Sequence, residues 1–155
     1  MSARTGEQGF VAGAEALIFG VLIFVLGTLI VVNAWGVVDA KFATSAAARE
    51  ATRAVVTAAP GDDLQGAAEA AAQAALAGHG RTGGPVEVQP VDGPPTLARC
   101  AEVGYEVRIE VPALTLFGSA TLGSFTVVSS HYELVAPYRS GLPVDDAAQG
   151  ASCVW

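Results

Sequence analysis

Between Glu15 and Asp39 the chain lacks Asp, Glu, Lys, Arg and His altogether. Lysine is nearly missing from the whole sequence, Lys41 standing alone beside seven arginines. The 8 basic residues are dispersed and outnumbered by 15 acidic ones, for a net charge of −7. A nucleic-acid surface needs a concentrated positive face, so nucleic acid is excluded as a partner. Histidine and cysteine occur twice each, as His79, His131, Cys100 and Cys153, with no ligand-type spacing among them. That argues against a zinc site. No glycine loop of phosphate-binding spacing occurs either, so neither a metal nor a cofactor is expected. The triplet Ser129-Ser130-His131 invites a hydrolase reading, but neighbours on a strand point to opposite faces and cannot act as nucleophile and base. The expectation is a protein that is not an enzyme.

What is present in the charge-free interval is the longest apolar run of the chain, residues 16–38, in which only Thr28 and Asn33 are polar. Twenty-three residues make a helix of about 34 Å, against a hydrocarbon core of about 30 Å. A helix satisfies its own backbone in lipid, and the run exceeds the 7 to 15 apolar residues of a cleaved secretory signal, as a rough guide. The prediction is one transmembrane helix with the lipid bilayer as its first partner. Gly13, Gly20, Gly27 and Ala34 recur every seven residues, close to two helical turns, and so share one stripe. Small residues let a second helix approach closely in lipid; the stripe reads as a helix-packing seam flanked by Leu17, Phe24 and Val31. The bland alternative is the general abundance of glycine in membrane helices.

Past Asp39 the helical pattern continues without a breaker. Ala40, Thr44, Ala47, Ala48, Ala51, Val55 and Ala58 fall on one side, and Asp39, Glu50, Arg53 and Thr57 largely on the other. This amphipathic half is predicted to stop at Pro60-Gly61. Asp62 reads as the N-cap of a second, alanine-rich helix over residues 63–77, ended by Gly78, followed by a flexible loop over residues 78–84. Strand signals follow over residues 86–91, then over 101–111, where Val103, Tyr105, Val107, Ile109 and Val111 alternate with Glu102, Glu106, Arg108 and Glu110. Pro112 is predicted to end that strand. A last strand is read over residues 121–135, bulged near Ser129-Ser130. The fold class is α+β: a long N-terminal transmembrane helix continuing into an amphipathic helix, a second short helix, then an antiparallel sheet of three to four strands. Its parts are a polar leader (1–9), the transmembrane helix (10–38), the extramembrane half of the long helix (39–60), a small α+β domain (61–141) and a tail (142–155).

Cys100 and Cys153 can form one pair, which outside the cytoplasm would tie the tail to the domain; two unrelated buried thiols are the alternative. Closing that loop stabilises the fold by about 4 kcal/mol in the chain-entropy picture.

A short polar leader ending in Gly9, then Phe10, then Glu15 at the head of an apolar helix, resembles the type IV pilin pattern. With the segment DAKFATSAAAREATRA (39–54) and the stretch Ala136-Pro137-Tyr138-Arg139-Ser140-Gly141, the chain resembles more specifically the TadE-like minor pilins (pseudopilins) of the tight-adherence, or Flp, pilus assembly system. The resemblance implies a pilin-like fold and prepilin-peptidase processing between Gly9 and Phe10. It also implies that Glu15 serves assembly by pairing with a neighbouring subunit's N-terminal amine. Implied partners are other pilins or Tad pilus assembly membrane proteins, with the prepilin peptidase as processing enzyme. Cutting there makes Glu15 the sixth mature residue, where the family has glutamate fifth; an uncut signal anchor is the other reading. Basic residues near the run are more numerous after it (Lys41, Arg49, Arg53) than before it (Arg4), which alone would place the C-terminal side in the cytoplasm. The resemblance implies the reverse, an extracytoplasmic domain. Two other classes stay open: a generic single-pass envelope protein with an extracytoplasmic binding domain, and a membrane-tethered enzyme.

N-terminal sequencing of the protein isolated from membranes separates the two readings: a start at Phe10 is what the resemblance implies. A chain beginning at Met1 or Ser2 would make residues 1–38 an uncut anchor.

Overall fold

The computed structural model describes residues 7–115 and 121–143. The elements run in the order α1 (Glu7–Thr57), α2 (Leu64–Gly78), β1 (Val86–Pro90), β2 (Glu102–Thr115) and β3 (Thr121–Leu134). The chain separates into two compact units, one up to Gly36 and one from Val37 onward. The described residues of the first, 7–36, are a single α-helical segment. The second contains the rest of α1, α2 and a three-stranded antiparallel sheet of order β1-β2-β3, an α+β arrangement.

In the second unit the buried face of α1 is built from small side chains. Ala40, Ala43, Thr44, Ala47, Ala48, Ala51, Thr52 and Val55 are wholly buried, recurring at the three- and four-residue steps that keep one helix face turned inward. Ala58, expected on this side, is only half-buried because the helix ends before it. Buried threonine on such a face needs a hydrogen-bond partner. Thr44 Oγ1 donates to Ala40 O at 2.7 Å, and Thr52 Oγ1 to Ala48 O at 2.9 Å and His131 O at 3.1 Å. On α2, Ala68, Ala72 and Leu76 make the buried row. The sheet contributes Val88, Val103, Tyr105, Val107, Ile109, Val111 and Val127, so the alternation predicted for β2 is the one observed. Tyr105 and Leu76 are the largest side chains fully enclosed.

Beyond shifts of one to three residues at element ends, several departures from the sequence expectation have a local reason. The N-cap of α2 is Asp63, not Asp62: Asp63 Oδ1 accepts from Gly66 N at 3.0 Å. Asp62 instead closes the preceding turn, its Oδ2 accepting from Ala59 N at 2.8 Å. The helix runs through Gly78 and is capped by His79. Pro112 does not end β2, which continues to Thr115. In the ladder, Gly104 bonds toward β1 and Ala101 toward β3 (Val91 N to Gly104 O, 3.0 Å; Val135 N to Ala101 O, 2.9 Å). Even-numbered positions of β2 therefore face the β1 side. The proline's missing N–H points to that side, beyond the last β1 residue, Val86 opposite Ile109, where it costs no ladder bond. The predicted bulge at Ser129-Ser130 is not there: the β2–β3 register passes through Val107↔Ser129 and Glu106↔Ser130 unbroken.

Gly104 has a packing reason. An added Cβ would stand 2.5 Å from the Tyr132 ring, which lies over it from the neighbouring strand, a cross-strand glycine–aromatic pair. The predicted loop 78–84 is tied down by Arg81, whose Nη2 is 2.9 Å from Asp39 Oδ2 on α1. At the far end, the guanidinium of Arg139 donates to Val56 O and Ala58 O, satisfying carbonyls that the last turn of a helix leaves without partners. Leu142 is buried beside this segment, and Arg99 N donates to Pro143 O at 2.7 Å.

Two predictions follow from this packing. Arg139→Ala should lower unfolding stability by about 1.5–3 kcal/mol, the range for hydrogen bonds that involve a charged group, read by chemical denaturation in detergent. The Tyr105 hydroxyl is buried without a hydrogen-bond partner. Its pKa is raised from 10.0 first by that burial and then by Glu69 and Asp63. The folded state thus holds the phenol proton more tightly than the unfolded chain. The associated stability is present below about pH 10 and is lost as pH rises through the folded pKa. Tyr105→Phe should be neutral or stabilising at pH 7, because it removes an unpaired polar group, and should blunt the alkaline fall in melting temperature. A melting profile of the variant that falls as steeply as the parent above pH 10 would reject this account.

Candidate membrane span and helix-packing face

The first unit is a helix whose apolar side chains are exposed on every side. Leu17, Ile18, Phe19, Ile30, Val31 and Val32 are each more than three-fifths exposed, and at about 100° per residue they point around the full circumference. A helix that is hydrophobic all round belongs in an apolar surrounding. By length and composition it is the one helix, among the described residues, able to cross a membrane, with a window of mean hydropathy 2.7.

Its two polar side chains are turned back on the helix. Thr28 Oγ1 donates to Phe24 O and Asn33 Nδ2 to Leu29 O, both at 2.8 Å. Each bond pairs a donor within its own segment, as a side chain facing hydrocarbon must. Glu15, the last charge before the run, is exposed. Asp39, the first after it, is paired with Arg81. Lys41 Nζ reaches the backbone of β3, donating to Val128 O and lying 3.4 Å from Ser129 Oγ. The two charged residues nearest the C-terminal end of the run are thus both held by the folded unit. Neither partner was legible in the sequence, since Arg81 and Val128 lie 42 and 87 residues away.

The four seam positions all fall within α1. A seven-residue step drifts by only about 20° on a straight helix, so one contiguous stripe results. At Gly20 and Gly27 an added Cβ would meet nothing within 4 Å, and Ala34 is exposed; the stripe is open to a neighbour. Leu17, Phe24 and Val31 border it and are exposed as well. Gly9, Phe10 and Gly13 are helical positions of α1, and their surroundings lie outside the description. Cys153 falls outside the described residues. Cys100 sits half-buried just before β2 with φ 69°, the single non-glycine residue with positive φ among those described.

On β3, Ser129 is buried and Ser130 exposed, so the strand separates the neighbours Ser130 and His131 onto opposite faces. Among the described residues no three His, Cys, Asp or Glu side chains gather as a metal site. The clefts are shallow: one of about 250 Å³ lies between the end of α2 and the sheet, lined by Leu76, Arg81, Thr82, Val86 and Glu110. Arg81 there is already paired with Asp39. The exposed surfaces of α1 are apolar and, along the stripe, small-residue. No family model, curated protein or solved structure matches the chain.

Proposed function

We propose that this chain is a membrane-anchored minor pilin or pseudopilin-like protein of the TadE type, acting in Tad/Flp pilus assembly or a related secretion apparatus. One observation carries the reading: a single continuous helix, α1, is apolar and uncovered over its first half and supplies the small-residue packing face of an α+β unit over its second. That division of one helix between two environments is what a pilin-like subunit requires. On this reading residues 10–38 span the cell membrane once and the domain of residues 61–141 lies outside the cytoplasm. The Gly13/Gly20/Gly27/Ala34 stripe packs against other pilins or Tad assembly membrane proteins. Glu15 pairs with a neighbouring N-terminus exposed by cleavage after Gly9, and Cys100 bonds Cys153.

The double substitution Gly20→Leu with Gly27→Leu fills the open stripe while raising, not lowering, hydropathy and helix propensity. It should abolish or strongly reduce surface pili, scored by electron microscopy of an otherwise unmodified strain with the protein's membrane level checked by immunoblot. Normal piliation at normal protein level would reject the seam and favour a generic single-pass envelope protein whose domain binds its partner without a filament.

A further inference from the structure

Three contacts set the direction of α1 inside the unit that begins at Val37. Lys41 meets Val128 and Ser129, Thr52 meets His131, and Val56 and Ala58 meet Arg139. Moving back along α1 from residue 58 to residue 41 therefore corresponds to moving back along the later chain from Arg139 to Val128. Continued past Val128, the same direction leads along β3 to its first residue, Thr121, opposite Thr115 of β2. The Val37 end of this helical segment and the paired Thr115 and Thr121 ends of β2 and β3 thus share one end of the unit. The loop holding Arg81 against Asp39 lies at that end as well.

At that end the sheet narrows. β1 begins at Val86, opposite Ile109, whereas β2 and β3 remain paired from Glu110↔Thr126 through Val111↔Phe125 and Pro112↔Ser124 to Thr115↔Thr121. Six residues past Ile109, at about 3.3 Å each, carry this two-stranded ribbon roughly 20 Å beyond the three-stranded part. Charge stops one pair into the ribbon, at Glu110. The outer face of the sheet bears Glu87, Glu102, Glu106, Arg108 and Glu110, but residues 111–130 contain no Asp, Glu, Lys or Arg. Pro112, Ala113 and Ser124 are exposed and Phe125 partly so.

We propose that this ribbon rests in the headgroup layer of the same bilayer that receives residues 16–38, as a second lipid contact of the domain. The inference rests on the membrane-span reading of α1. Two considerations select the interface as its level. An uncharged surface approaches lipid without the cost of desolvating ions. The open edges of a two-stranded ribbon keep backbone N–H and C=O groups that hydrocarbon cannot satisfy but headgroups and water can. The chain enters the unit at this end, at Val37, directly from the apolar run, which is what brings the ribbon to the bilayer on the membrane-span reading.

The test uses the full chain reconstituted in phosphatidylcholine vesicles with acyl chains brominated near the headgroup, and reads tryptophan quenching against unbrominated vesicles. The native tryptophans are Trp35 and Trp155. Trp155→Phe leaves Trp35 as the reporter of the span. In the background Trp35→Phe/Trp155→Phe, Ala113→Trp and, separately, Ser124→Trp report the ribbon, and Glu102→Trp reports the opposite end of β2. Quenching and a blue shift at Ala113 or Ser124 comparable with Trp35, and none at Glu102, are expected. Quenched Trp35 with both ribbon positions unquenched overturns the ribbon contact and leaves the span intact, pointing to a protein partner for that surface. Unquenched Trp35 overturns the span and the ribbon contact with it. Two ribbon positions on different strands guard against one variant misfolding.

Discussion

The folded unit depends on how closely α1 can approach the sheet. Its inward face is alanine and threonine for four turns, and such a face stabilises through proximity more than through its own apolar area, because each methyl removes little surface from water. Close approach lets the larger side chains come from the other layers: Tyr105 and the valines of β2, and Leu76 of α2. It also brings backbone within reach of short side chains, so Thr52 can bond His131 O directly. A leucine on this face would push the layers apart and break that bond. The small residues of the membrane half and those of the packed half use the same physical property, with lipid around one and protein around the other.

The exposed half of α1 is explained by what the chain leaves unprovided. Nothing among the described residues covers Leu17, Phe24 or Trp35, and the two polar side chains in the run bond inward. A helix of this kind finds its stability outside its own chain. Such a surface combined with an open glycine stripe fits lipid on most of the circumference and a second helix on one strip.

Much of this was readable from period alone. The charge-free run, the amphipathic continuation of α1 and the alternation of Val103 through Val111 with Glu102 through Glu110 are local patterns, and local patterns survive folding when one face is buried. The misreadings arose where two residues of the same type compete, as at Asp62 and Asp63, or where a rule has an exception set by neighbours, as for Pro112 on the side of β2 left open by the short β1. The contacts of Asp39 with Arg81, Lys41 with Val128 and Arg139 with the end of α1 have no periodic signature. They depend on which chain segments topology brings together. On the candidate site, the seam positions were legible as a stripe, whereas the openness of Gly20 and Gly27 to a neighbour became apparent only with the helix in three dimensions.

Arg139 has a bearing on the order of events during synthesis. The carbonyls it satisfies belong to residues 81 and 83 positions earlier in the chain. α1 and α2 are made first and can form as helices early, since helix formation needs only local contacts. The last turn of α1 nevertheless stays uncapped until β3 has paired and residues 136–143 have been made. Completion of the domain is therefore a late event, governed by contacts of long sequence separation that fold slowly. A chain released before Arg139 would carry its apolar run, its two helices and most of its strands, yet lack the clasp at the end of α1.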